Sequence, residues 1–209
     1  SHKYLWVIDE LDGTANFANR IPYFAASVGF AINGVPTIGA VALPNAVYEQ
    51  GGKIRLEWNL IHGGRGLGAY LNDKPIPISK NNQIKLSDSL LVTDFPYKIE
   101  IEPTRWAQEI FVNLQKEARV VHVNGSVVSE LMDVAFERYS GYVHVLNKPW
   151  DVTAACAILN ELNYKVTNWR GTPWRITDKT VIAGNGELHK TLLNIVSLNV
   201  PEKLKENYV

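Results

Sequence analysis

Asp9 and Asp12 stand three residues apart at the end of an apolar run, Tyr4-Leu5-Trp6-Val7-Ile8, and Gly13-Thr14-Ala15 follow at once. Two like charges at the end of a buried strand cost several kcal/mol if nothing compensates them (about this much per buried charge). A divalent cation removes that cost. Mg²⁺ suits the donors, because it is hard, takes oxygen ligands, and is commonly held by one or two carboxylates together with water and a substrate phosphate. Gly13 permits close backbone approach, and the N–H groups of Thr14 and Ala15 at the start of a turn or short helix form a phosphate seat. The same Asp-x-x-Asp-Gly pattern is also ordinary turn chemistry, with the carboxylates capping backbone. A third carboxylate, Asp151, follows Pro149-Trp150 at a helix start. Alone it reads more often as an N-terminal cap.

The elements that must bring these groups together follow from periodicity. Residues 4–8 read as a buried strand. Residues 24–32 and 37–43 read as a hairpin closed by Asn33-Gly34. Further strands are expected over 46–50, 67–73, 74–79, 89–94, 119–123, 141–146, 164–169 and 180–184. Helices are expected over 103–118, with Trp106, Ile110, Phe111 and Leu114 on one stripe, and over 126–138, with Ser126 as N-cap. An amphipathic helix is expected over 149–162 and a last helix over 186–198. A hairpin-rich first half followed by alternating helix and strand makes a layered sandwich of helices and sheets, an α+β protein.

The 209 residues carry 46 % apolar and 20 % charged side chains and a formal net charge of zero. Neutrality gives no support to a nucleic-acid or membrane-surface partner, since both favour a basic excess. No apolar run reaches the roughly 18 residues of a membrane helix. The single cysteine, Cys156, excludes an internal disulfide and fits a reducing, cytoplasmic setting; it lies in an apolar helical run and reads as core. The chain opens Ser-His without Met, directly before a strand, so Ser1-His2 reads as a cloning or processing scar with natural sequence upstream.

Taken together, the two acidic stretches resemble the paired signatures of the inositol monophosphatase family. Asp9-Glu10-Leu11-Asp12-Gly13-Thr14 matches Asp-Pro-(Ile/Leu)-Asp-Gly-Thr except at Glu10. Trp150-Asp151-Val152-Thr153-Ala154 matches the core of Trp-Asp-x-Ala-Ala, with the Ala pair displaced by one. Residues 63–76 resemble the family's Gly-x-Gly-Ala…Asn-x-x-Pro-Ile hairpin. Gly125-Ser126 stands at its Gly-Ser/Thr-Ala helix start, and 180–185 at its closing strand. The resemblance implies one domain over 1–209 with an αβαβα sandwich lacking its N-terminal helices. It implies a Mg²⁺-dependent, Li⁺-sensitive phosphomonoesterase acting on a small sugar, inositol or nucleotide phosphate, and a homodimer. By position, Asp9, the Leu11 carbonyl, Asp12 and Asp151 become metal ligands. Gly13 and Thr14 become the phosphate seat. Thr14 and Asp12 serve the attacking water, and Gly125, Ser126 and His144 face the substrate.

Three departures qualify the match. The family's upstream Glu-Glu pair precedes the first residue here, so the chain as given is expected to be impaired or incompletely represented and to expose an apolar sheet face; Glu10 is expected to face solvent or be salt-bridged rather than replace the pair. His144 stands where inositol-specific members place a Glu that touches sugar hydroxyls, so it is either a structural histidine or a substrate contact. Glu161-Leu162-Asn163-Tyr164 replaces a Glu-Ala-Gly-Gly turn, which makes Asn163 the expected left-handed residue. A family member acting through a protein partner without catalysis is the alternative.

Overall fold

The computed structural model describes residues 3–48, 54–78, 80, 83–94 and 102–200. The chain runs β1 (Tyr4–Asp12), α1 (Thr14–Ala18), β2 (Ala25–Ile32), β3 (Val35–Tyr48), β4 (Ile54–Gly64), β5 (Gly68–Leu71) and β6 (Lys74–Pro75). It continues β7 (Leu90–Thr93), α2 (Glu102–Glu117), β8 (Val120–His122), α3 (Val127–Ala135), β9 (Gly141–Val145), α4 (Pro149–Glu161), β10 (Lys165–Thr167), β11 (Thr180–Gly184) and α5 (Gly186–Asn199). The strands form two sheets, β1-β2-β3-β4-β5-β6 and β10-β11-β9-β7-β8. The first is antiparallel throughout. In the second, β7 runs parallel to both β8 and β9.

The layers are sheet, helix pair, sheet, helix pair. Ala25, Val41 and Ile61 of the first sheet share a core with α3, α4 and one face of the second sheet, through Val92, Tyr142 and Val181. Leu91, Val143 and Ile182 on the opposite face pack with α2 and α5. Every residue of β9 and β11 is therefore buried, as expected of strands covered on both faces. The α+β class read from the sequence is what the structure has.

Several elements differ from expectation. β1 is an edge strand, not a buried one: Tyr4, Trp6 and Ile8 are 56, 62 and 57 % exposed, while Val7 is buried. Its run of apolar residues reads as a two-faced core strand, but only one face meets the helices. The outer face continues the apolar surface through Phe30, which stacks with Tyr4 and meets Trp6 at a tilt, and through Trp58 and Leu60. β4 is absent from the expected strands although Ile54-Arg55-Leu56-Glu57-Trp58-Asn59-Leu60 alternates. Residues 37–43 and 46–50 are one strand through Tyr48, with 49–50 outside the described residues. The side chain of Trp106 also lies outside them.

α4 is not amphipathic, because it has no solvent side: Val152 through Leu159 are all buried between the sheets. Cys156 is among them, and burial pushes its thiol up to about 12. α4 sits on backbone. A Cβ on Gly39 would lie 2.1 Å from the Ala154 carbonyl oxygen, and one on Gly29 2.6 Å from Thr153 Cγ2. The Ser27 hydroxyl donates to the Trp150 carbonyl at 3.2 Å, pinning the first turn of α4 to β2. Asn163 ends α4 at φ 67°, in the left-handed region.

Candidate metal and phosphate site

In a regular strand, residues three apart face opposite sides. Asp9 and Asp12 do not, because β1 bulges between them: Asp9 pairs with Ser27 and Asp12 with Ala25, three steps against two. The extra residue turns both carboxylates toward the helix layer, the re-aiming that bulges supply beside functional sites. Glu10 is left exposed. Gly13 follows at φ 79°, and a Cβ there would lie 2.9 Å from Ser126 Cβ and 3.1 Å from the Tyr23 carbonyl. Both the turn and the packing demand glycine. Thr14 then opens α1, and its hydroxyl donates to the Leu11 carbonyl at 3.0 Å.

Each carboxylate is held by backbone. Asp9 Oδ1 accepts the Leu11 N–H at 3.2 Å. Asp12 Oδ2 accepts the Val128 N–H at 2.9 Å and the Ser126 hydroxyl at 2.5 Å. Asp12 thereby caps α3 from a distant strand. Ser126 occupies the N-cap position, but its side chain makes no cap hydrogen bond; it serves Asp12 and Ser129 instead. Asp151 is the third residue of α4, and its Oδ2 accepts the Lys148 N–H at 2.7 Å, one half of a capping box.

The three carboxylates converge. One oxygen from each of Asp9, Asp12 and Asp151 lies within 4.8 Å of the others. Burial, more than any other cause, raises the pKa of all three. Asp151 is pushed up to about 7, with Asp12, Asp9 and Asp94 adding repulsion in that order. The donors are all oxygen, and their charges repel. That set fits a hard dication.

The triad opens into a cavity of about 990 Å³ whose lining includes Leu11, Gly13, Thr14, Gly125, Val127, His144, Lys148 and Trp150. Ser126 is 1 % exposed and lies behind that lining. His144 is 8 % exposed; burial lowers its pKa to about 3, and its Nδ1 has no hydrogen-bond partner. Sequence reading passes over two acidic groups here. Asp94 ends the apolar strand β7 and lines the cavity, repeating the pattern of an apolar strand running into a carboxylate seen at Asp9. Glu130 is 0 % exposed inside α3. Its Oε1 accepts the Asn124 N–H at 2.8 Å, while Oε2 is unpartnered. Burial first, and then Asp94, raises its pKa well above the ordinary carboxylate range. Nothing in its helical spacing separates it from a surface glutamate.

A two-sheet α+β protein with a carboxylate triad at the seam between a strand end and a helix start has known counterparts. The sequence profile of the inositol monophosphatase family matches residues 1–200, and the chain belongs to that family. It is 35 % identical over 193 residues to a fructose-1,6-bisphosphatase/inositol-1-monophosphatase of Aquifex aeolicus, covering 92 % of this chain and 67 % of the relative. It is 33 % identical over 190 residues to an inositol-1-monophosphatase of Synechocystis, covering 90 % and 61 %. The structure of inositol monophosphatase from Anabaena superposes with a TM-score of 0.79 at 36 % identity, covering 97 % of this chain and 75 % of that one. The chain thus spans about two thirds or less of the length of these two curated relatives.

Proposed function

We propose that the protein is a Mg²⁺-dependent phosphomonoesterase that hydrolyses a small sugar, inositol or nucleotide phosphate by attack of water. The observation that carries this reading is the convergence of Asp9, Asp12 and Asp151 within 4.8 Å from two segments far apart in sequence. Asp9, Asp12, Asp151 and the Leu11 carbonyl are the metal ligands. Bound Mg²⁺ supplies charge neutralisation, a lowered pKa for a bound water and stabilisation of the leaving oxygen. Gly13 and Thr14 seat the phosphate through their N–H groups, and the Thr14 hydroxyl, now turned to Leu11, orients the water. Asp12 aligns that water as well as binding metal. Gly125 and His144 face the leaving group, and Ser126 acts by fixing Asp12. Residues 1–209 act as one domain. A homodimer in a reducing compartment such as the cytoplasm completes the reading, supported by family membership and by one buried cysteine.

The test is release of inorganic phosphate from a panel of phosphomonoesters by the full-length protein, with Mg²⁺ and with chelator. Turnover that needs Mg²⁺ and falls by orders of magnitude in Asp9→Asn, Asp12→Asn or Asp151→Asn supports the assignment. No turnover of any ester in Mg²⁺ overturns it and leaves partner binding without catalysis.

A further inference from the structure

The side-chain amide of Asn16 joins three stretches of chain. Asn16 is the third residue of α1. The Phe17 N–H closes the preceding turn on the Gly13 carbonyl at 3.0 Å, and the Asn16 carbonyl accepts the Ile21 N–H at 2.9 Å. Asn16 Nδ2 donates to the Tyr23 and Asn124 carbonyls, each at 2.8 Å, and reaches the Gly125 carbonyl at 3.4 Å. Asn124 and Gly125 lie 108 and 109 positions away and lead into Ser126, whose hydroxyl holds Asp12. Gly13 lies against the same two segments: a Cβ on it would meet Ser126 Cβ at 2.9 Å and the Tyr23 carbonyl at 3.1 Å. The turn that carries Gly13 and Thr14 is therefore set against 23–24 and 124–126, and the Asn16 amide stitches that seam.

We propose that Asn16 is a positioning residue of the phosphate site: its amide fixes where the Gly13 and Thr14 N–H groups stand relative to the acidic triad. This rests on the phosphatase reading above, in which those N–H groups hold the phosphate and the triad holds Mg²⁺. Gly13, Thr14 and Ala15 line the cavity, whereas the Asn16 amide is committed to the carbonyls of Tyr23, Asn124 and Gly125. A phosphate that spans a metal and a pair of N–H groups needs the two at a fixed separation, and a misplacement of about 1 Å in a positioned site is enough to cost about 100-fold. Asp12 has its own restraints, the Ser126 hydroxyl and the Val128 N–H. Removing the Asn16 amide thus frees one side of that separation and leaves the other held. The amide fits because it presents two N–H donors to a group of carbonyl acceptors; an ionised carboxylate of the same shape has no proton to give and repels them.

The experiment is calorimetric titration of the full-length protein with Mg²⁺, and then with inorganic phosphate in saturating Mg²⁺. It compares the unaltered protein with Asn16→Ala, Asn16→Asp, Asn16→Ser and Tyr23→Phe, each checked for native circular dichroism. We expect phosphate affinity to fall about tenfold in Asn16→Ala and at least as much in the isosteric Asn16→Asp, with Mg²⁺ affinity changed less than about twofold. Asn16→Ser keeps one donor and is the milder variant where Asn16→Ala does not fold. Tyr23→Phe removes the 2.9 Å bond from the Tyr23 hydroxyl to Asp133, so it loosens the same loop and leaves Asn16 in place; it should lower the melting temperature without changing phosphate affinity. Phosphate affinity that is unchanged in folded Asn16 variants, or that falls only in step with Mg²⁺ affinity, overturns the inference. So does an equal loss in Tyr23→Phe, because loosening the loop then suffices, and so does loss of the native fold in all three Asn16 variants, which assigns the amide to folding alone. Failure of the unaltered protein to bind inorganic phosphate in Mg²⁺ overturns the underlying phosphatase reading, and the inference with it.

Discussion

The Ser126 hydroxyl donates to Asp12 Oδ2 at 2.5 Å across 114 positions of sequence. This bond ties the start of α3 to the bulged end of β1 and leaves Asp12 with one oxygen committed to α3. A serine at an N-cap ordinarily serves its own helix. Here the helix takes its cap from a carboxylate of the acidic triad, so orienting Asp12 and closing α3 are one interaction.

Ser126→Ala is therefore expected to act on metal affinity more than a surface serine would. Losing an outer hydrogen bond to a ligand typically costs about 10–100-fold in affinity, and a buried hydrogen bond about 1 kcal/mol in stability. Titration with Mg²⁺ and a urea melt of the same variant separate the two effects. Unchanged Mg²⁺ affinity contradicts the coupling.

The pH dependence of stability follows from Asp151. Its folded pKa is raised to about 7 from 3.8. The folded state keeps the proton after the unfolded chain has released it, so stability falls as pH rises from about 4 to about 7 and stays low above that. Without metal the loss is on the order of a few kcal/mol, with Asp9 and Asp12 adding in the same direction. Thermal melts in chelator between pH 4 and 8 should show the decline. Asp151→Asn should flatten it, and Mg²⁺ should flatten it only while Asp151 is present.

Glu130 gives a prediction of opposite character. It is fully buried, with one oxygen bonded to the Asn124 N–H and the other unpartnered. Its raised pKa favours the neutral acid. Glu130→Gln keeps the shape and removes the charge, so stability at pH 8 should match or exceed that of the parent chain. Glu130→Ala should lose about 2 kcal/mol or more through the cavity and the orphaned N–H. Denaturant midpoints at pH 8 distinguish the pair; a marked loss in Glu130→Gln assigns the site an ionised carboxylate.

Gly39→Ala tests how α4 is placed. A Cβ 2.1 Å from the Ala154 carbonyl oxygen cannot be accommodated by a rotamer change, so the helix must lift from β3. Overpacking of this kind costs about 1–3 kcal/mol, occasionally more, and here it also moves Asp151. We expect a lower melting temperature together with weaker Mg²⁺ binding, read by calorimetry. Gly34→Ala is the control: its nearest contact is an ordinary 3.7 Å, in a hairpin remote from α4, and it should pay only the strain of positive φ.

Asp9 and Asp12 were legible because carboxylates at the end of an apolar run contradict burial, whereas Asp151, alone an ordinary helix cap, was legible only through its place in the second family signature. The bulge that aligns Asp9 with Asp12 left no such mark, since nothing in Glu10-Leu11 announces an extra residue. Asp94 carried the same signature as Asp9 and could have been read. Glu130 could not, because a glutamate in a helix is ordinary until both of its sides are covered. The two faces of β1 are equally apolar in sequence, so its edge position was hidden. α4 lost its expected polar side for a related reason: a helix between two sheets needs no periodicity.

Where α4 crosses β3, Gly39 lets strand backbone lie against the Ala154 peptide, and Gly29 of β2 makes room for the Thr153 side chain beside it. The backbone that carries Asp151 is seated within one turn of helix on the strands beneath it. The separation between the segments that bear the triad is thus inherited largely from hydrogen-bonded ladders rather than from layers of interdigitated side chains. A substitution elsewhere in the core can loosen the molecule while the gap between its acids keeps its gauge.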